Sequence, residues 1–595
     1  MTHSFHIPVL GLAFSIDSPL KVARFGISSV ISIVDDELIE RIRAYYCKIN
    51  KREYLPITKK DHDYRANRIS SYLNLVSKLV HEQMENIRTQ FFEEGSEIER
   101  YFQFIPESHP AKKIYYAMIS ETNNVEKAKK KQSLRSFIEA GDIDVNIMAK
   151  VDKVNYAKNG DALEEKFSDA LAALRGFTNS NLQSSVILSA GMNPRLYSYL
   201  AELPAFWQKK DGSFDKKLTL KVSDYRSAYI QAKFLAKKGI WVSEFRVESG
   251  LNCGGHAFAT DGLLLGPILA EFKNKKQALQ QELFTSYRQY WSQKDICIEH
   301  APPIKYTVQG GVGTADEHTF LLKHYEFDAV GWGSPFLLVP EATTVDEETL
   351  AALTSATADD FYSSGASPLG VPFNNFRKSS SEQLRLKRIK EGKPGSPCKK
   401  KYLVSNIEYG STPICTASRA YQHLKIKELE AKKLDPVRYE KEFSEITEKT
   451  CLCDGLAAPA YLKYNILKPK EKDAVAICPG PNTVWFKNKF SLDQMINHIY
   501  GRTDLIQNED RPFFFINELR LYVAHIKKYV EMNTATVNDK NIKYLEKFKT
   551  QLMEGINYYE QLKNELYDFS SHIIAGIPEQ LKNAEKELAQ ITFQN

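Results

Sequence analysis

YTVQGGVGTADEHTFLLKHYEFDAVGWGS, residues 306–334, is the stretch on which the reading of this fold turns. Tyr306-Thr-Val-Gln309 is a β-prone run that stops in Gly310-Gly311-Val312-Gly313-Thr314. A helix-like segment follows, and Phe327-Asp-Ala-Val-Gly331 is a second such run that stops in Gly331-Trp332-Gly333-Ser334. Strand, glycine turn, helix and strand is the order expected of parallel strands joined by helical crossovers. The same unit recurs upstream. Ile7-Pro-Val-Leu-Gly-Leu-Ala13 reads as a strand, Ser18 to Phe25 as a helix ended by Gly26, Ile27 to Ile33 as a second strand, and a helix opens at Asp35 and Asp36. Ile143 to Met148, Ser185 to Ser189, Leu218 to Val222 and Ile240 to Phe245 follow, which makes eight strands in all. Eight parallel strands close a (β/α)8 TIM barrel, an α/β fold whose site lies at the C-terminal strand ends.

Two parts of the chain fall outside this rhythm. Between Tyr72 and Phe92, Leu75, Val76, Leu79, Val80, Met84 and Ile87 recur at helical spacing, which predicts a helical insertion after strand 2. Beyond Glu341 the alternation stops, and residues 342–400 are rich in Thr, Ser, Pro, Gly and Lys. The expected organisation is a barrel over 1–44 and 131–341, the helical insertion over 45–130, a cysteine-containing excursion or lid over 342–482, and a C-terminal helical region over 483–595. In the last of these, Tyr544 to Tyr567 and Ile577 to Ile591 read as long helices.

Composition bounds the function. The chain has 595 residues, 43% hydrophobic and 11% aromatic, so it can bury a large core. Its 80 basic and 74 acidic residues leave +6 over the whole length, which gives no support to nucleic-acid binding. No apolar run approaches the roughly 18 residues of a membrane span, and no Lys or Arg precedes Lys21 as a secretory signal would require. A cytoplasmic location is expected.

Three glycine turns follow strands: Gly254-Gly255-His256, Gly310-Gly311 and Gly331-Trp-Gly333-Ser334. Glycine lets backbone N–H groups approach an anion, and the loops after strands seven and eight are the usual phosphate cradle of a barrel. With Pro8-Val-Leu-Gly11-Leu and Val145-Asn146-Ile, these motifs resemble the FMN-dependent nitronate monooxygenase (2-nitropropane dioxygenase) family. That family includes the enoyl reductase component of polyunsaturated fatty acid and polyketide synthases. The resemblance spans about residues 5 to 341 without the insertion. Lys221, on the inner end of strand five, is placed to contact flavin or substrate, and the resemblance implies an FMN site made by Gly11, Asn146, Gly254, Gly255, Gly310, Gly311, Gly333 and Ser334. Asn146 and Gly255 would lie at the flavin ring, and the last four residues at the phosphate. It also implies that His256 is the catalytic acid or base, a role suited to an imidazole that titrates near neutrality. The pattern departs from the family at Asn252 and Cys253, where an acidic residue and an alanine usually precede the Gly-Gly-His, and at Ser334, where threonine is common. Lys221 has a plainer reading as an edge charge, and His256 one as a buried, hydrogen-bonded histidine.

Five of the eight cysteines, Cys398, Cys415, Cys451, Cys453 and Cys478, cluster late in the chain. Four thiolates would suit an iron-sulfur cluster or zinc, whereas ordinary buried thiols are the alternative. The basic run Arg385 to Lys401 reads as a solvated loop, or as a docking place for a phosphate-bearing acyl carrier. Together these readings predict a flavin-dependent oxidoreductase acting on a small or acyl substrate. The rival is a non-catalytic flavin-binding or scaffold protein whose C-terminal helices bind a partner.

Overall fold

The computed structural model of the chain describes residues 2–148, 152–156, 160–189, 191–252, 261–506, 511–533, 537–562 and 576–593. Eight parallel strands close a barrel in sequence order. They are β1 (Phe5–Ile7), β2 (Ser28–Ser32), β3 (Ile143–Ile147), β4 (Ser185–Leu188), β5 (Lys217–Val222), β6 (Glu244–Glu248), β7 (Lys305–Gln309) and β8 (Ala329–Gly331). Closure is through β1, which pairs with both β2 and β8. The chain is a (β/α)8 barrel with further helices at its C-terminal end.

Two strands sit elsewhere than their apolar runs suggest. β1 ends at Ile7, where the run was expected to begin, because Pro8 has no N–H for the ladder. β6 begins at Glu244, and the apolar Ile240-Trp-Val242 is its buried approach, with Trp241 edge-on to Tyr287 at 5.3 Å. The ladder is carried by Glu244-Phe-Arg-Val-Glu248. Alternation turns Phe245 and Val247 outward onto the helical layer and the three charged residues toward the barrel axis. A charged interior hides such a strand from an apolar search.

Between β2 and β3 the helix Asp36–Ile49 opens with the Asp35 carboxylate accepting the Glu37 and Leu38 amides. Tyr64–Thr89 then forms one helix, with shorter helices to Arg135. Past the barrel, Phe361–Ser364 and Phe373–Phe376 form an antiparallel pair (β9, β10), and Ser380–Lys390 is a helix where a basic loop was expected. Phe514–Asn533, Asp539–Leu562 and Ile577–Gln590 are the C-terminal helices. They join the barrel core: Phe515 and Tyr559 stack at 4.9 Å, and Tyr559 lies so close to Gly266 that a Cβ there would sit 2.3 Å away. No helix among the described residues is long and apolar enough to cross a membrane.

Candidate active site

The inner face of β6 builds the floor of the site. Arg246, 2% exposed, lies 2.8 Å from Glu244 and 3.3 Å from Asp144. Burial works against both carboxylates; the closer Arg246 contact holds Glu244 down to about 2, while burial pushes Asp144 up to about 6. One layer higher, Glu248 Oε1 accepts from Lys221 Nζ at 3.0 Å, Gln309 Nε2 at 2.7 Å and Asn252 Nδ2 at 2.5 Å. Lys221 is therefore a buried, paired cation at the barrel mouth and not an edge charge.

Above this floor is a cavity of about 150 Å³. Asn146, Lys221, Glu248 and Asn252 give it a polar base, and Val9, Gly11, Val34 and Met148 line its barrel side. Its roof comes from the excursion, through Phe373, Tyr402, Leu452, Cys453, Leu456 and Cys478. The roof is anchored: the Tyr402 hydroxyl lies 3.1 and 3.0 Å from the Asp35 and Asp36 carboxylates, Lys400 pairs with Asp35, and Arg65 and Arg68 pair with Asp36 at 2.6 and 2.8 Å. Asn374 Nδ2 also donates to the Asn252 carbonyl at 3.2 Å, tying roof to floor. Asn146 Oδ1 is buried without a hydrogen-bond partner among the described residues, so the cavity holds an unmet acceptor.

The turns after β7 and β8 start side by side, since Gln309 is opposite Gly331 in the ladder. Gly310 and Gly311 have φ of 114° and 86°, a region that glycine enters freely. The amides of Gly310, Gly311 and Gly333 have no acceptor among the described residues. Gly310 packs against Asn252, and a Cβ on Gly311 would meet Leu251 Cδ1 at 2.6 Å. Ser334 Oγ accepts the Gly480 amide at 3.0 Å, which leaves its own O–H to donate. Unpaired amides in a tight turn make an anion-binding concavity.

Gly11, Asn146 and Lys221 thus meet at one cavity, and Gly310, Gly311, Gly333 and Ser334 form the adjoining turns. Gly254, Gly255 and His256 lie outside the described residues. The sequence reading missed Glu248, Gln309, Gly480, Asn482 and Arg511. Asn482 Nδ2 donates to the Val312 carbonyl at 2.8 Å, and Arg511 Nη2 to that of Gly311 at 3.0 Å. A Glu at a strand end one layer above an inward Arg was the available signal for Glu248; the last three carry none locally.

The cysteines correct the metal expectation. Among the described residues no three or more His, Cys, Asp or Glu side chains are placed to hold a metal ion. Cys453 and Cys478 pack in the roof with Ala366, Phe373 and Leu452. Cys398 and Cys415 hydrogen-bond to each other, which draws Cys398 down to about 7 and pushes Cys415 up. Burial pushes Cys451 up to about 12. These thiols are small packing groups and a hydrogen-bonded pair.

No family model and no curated protein matches the chain. Among solved structures it is similar to FabK from Thermotoga maritima at 14% identity and TM-score 0.30, over 69% of this chain and 86% of that one. It is also similar to the enoyl reductase domain of MlnA from the macrolactin biosynthesis cluster of Bacillus amyloliquefaciens, at 14% and 0.33, over 74% and 90%. A third is nitroalkane oxidase from Streptomyces ansochromogenes, at 11% and 0.28, over 64% and 83%. The fold assignment rests on the closed sheet of this chain itself.

Proposed function

We propose that this protein is a flavin-dependent oxidoreductase that holds FMN across the barrel mouth and acts on a small or acyl substrate. The observation that carries the reading is the set of free donors on the turns after β7 and β8: three unpartnered glycine amides and the Ser334 hydroxyl, beside a cavity with a polar base and apolar walls. Such donors suit a phosphate dianion. The orphaned Asn146 carbonyl suits the imide N–H of a flavin ring, and Lys221, held by Glu248, gives that end a fixed positive charge. Bound FMN would supply hydride and electron transfer. The chain's own part is to orient the ring between base and roof, to keep water out, and to move a proton at the substrate through His256, the role its motif implies. The division into a barrel over 1–44 and 131–341, an insertion over 45–130, a lid over 342–482 and a helical region over 483–595 belongs to the same proposal, with the lid closing the mouth.

Purified protein reconstituted with FMN is expected to show flavin absorbance near about 450 nm that a reductant bleaches. Gly311→Glu abolishes binding by bulk against Leu251 and by charge, whereas His256→Ala keeps the flavin and slows its half-reaction with substrate by about 100-fold or more. A colourless reconstituted wild type refutes the reading.

A further inference from the structure

A second cavity, of about 220 Å³, lies behind the roof of the first. The two share a wall: Cys451 and Gly455 line this cavity, while Leu452, Cys453 and Leu456 line the other. It shares Leu384, Arg388, Pro397 and Lys472 with a shallower neighbour, and around the two stand Arg388, Lys393, Lys399, Arg419, Lys449 and Lys472. None of these six has a carboxylate within 4.0 Å among the described residues. Arg388 donates to Ser396 Oγ at 2.5 Å, Lys449 to the Gly365 carbonyl at 2.6 Å and Lys399 to the Lys470 carbonyl at 3.0 Å, all neutral acceptors. The other cations of the cavity are matched, Arg385 by Glu382 and Lys400 by Asp35.

Lys393, Lys399, Arg419 and Lys472 are exposed, and the other two are drawn in from solvent. Arg388 and Lys449 are half-buried; burial, then the Arg419 guanidinium, makes the Arg388 charge harder to hold, and burial does the same to Lys449. The C-terminus of the helix Ser380–Lys390 accounts for Arg388 through its dipole, but Arg419, Lys449 and Lys472 come from other segments and have no such reason to converge. Of the carboxylates around this cavity and its neighbour, Glu37 and Glu471 are bonded to Arg41, Asp454 lies 3.7 Å from the Cys451 thiol, and Glu391 is exposed. Asp454 and Glu391 act on Arg388, and Glu448 and Glu445 on Lys449, from beyond 4.0 Å, and the concave surplus of positive charge that remains is what a multiply charged anion neutralises. We infer that this cavity is a binding site for a phosphate-bearing ligand, a diphosphate group in particular, separate from the barrel mouth. Its occupant would brace the one-turn wall Leu452–Gly455 from behind.

Isothermal titration of the full chain with inorganic pyrophosphate at low salt tests the site. One equivalent is expected to bind at this cavity, more weakly as salt rises, and it remains in Gly311→Glu, which removes any pyrophosphate held by the amides after β7 and β8. Arg388→Gln should weaken binding by about tenfold, and Lys472→Gln, at an exposed position that cannot unfold the chain, should weaken it less. Displacement of pyrophosphate by an adenine nucleotide, or by phosphopantetheine, supports the site and names its source. No binding, binding indifferent to both substitutions, or binding that neither compound displaces (an adventitious ion only) overturns it.

Discussion

Glu518 belongs to the helix Phe514–Asn533, yet its carboxylate accepts the Leu265 amide at 2.7 Å and bonds to Ser249 and the Gly250 backbone. In sequence those residues stand on either side of Gly254, Gly255 and His256, and a distant side chain ties the end of β6 to the start of the helix Leu265–Ser292. Burial pushes this carboxyl from 4.5 up to about 7. The fold therefore favours the protonated form. The contribution to stability is complete below pH 4.5 and is lost as pH rises through about 7, and it amounts to about 3 kcal/mol. Wild type is expected to lose that much more stability between pH 4.5 and 8 than Glu518→Gln, which stays neutral throughout. Urea unfolding of both proteins at the two pH values measures it, and parallel losses would show that Glu518 is ionised in the fold.

At the scale of elements, the helices Tyr64–Thr89 and Asp169–Thr178 pack closely at a glycine. A Cβ on Gly176 would lie 2.7 Å from the Ala66 carbonyl oxygen and 2.9 Å from Ile69 Cβ. Alanine would gain about 1 kcal/mol of helix propensity there. Overpacking against backbone costs about 1–3 kcal/mol, and a carbonyl inside a helix cannot step aside, so the packing term decides the sign. Gly176→Ala should lower the melting temperature although it replaces a helix breaker with the best helix former, and calorimetry distinguishes the two. β6 makes a related point: its charged, inward face positions the whole floor of the site, while its two apolar residues, Phe245 and Val247, are outweighed in sequence by the apolar run Ile240–Val242 before them.

Across the whole molecule, the C-terminal region buttresses the barrel. Arg511, 5% exposed, pairs with buried Glu317 at 2.6 Å and also holds the Gly311 carbonyl. Glu317 in turn accepts the Gly313 and Phe514 amides. Removing the cation leaves a buried carboxylate uncompensated, at a cost of about 3–5 kcal/mol. Arg511→Ala is accordingly expected to melt earlier and, on the proposed reading, to bind FMN more weakly than Lys472→Gln. Differential scanning calorimetry with flavin retention on gel filtration checks both, and an unchanged melting temperature would show that the barrel stands without this strut.

The eight-strand pattern, the glycine turns at 310–311 and 331–334, the helix start at Asp35 and the apolar stripe of Tyr64–Thr89 were legible in the sequence. Each depends on near neighbours: backbone freedom at one residue, a side-chain oxygen over the next amides, a period of two or 3.6. The convergence of Lys221, Gln309 and Asn252 on Glu248, the roof over the cavity and the Arg511 strut were decided only by tertiary structure. Asn374 meets Asn252 across 122 residues and Arg511 meets Glu317 across 194. The cysteines followed the same division, because their spacing suggested ligands while packing made them roof and wall. Contacts that close long loops leave no periodic trace in the chain, since their partners are chosen by the packed barrel and not by anything beside them in sequence.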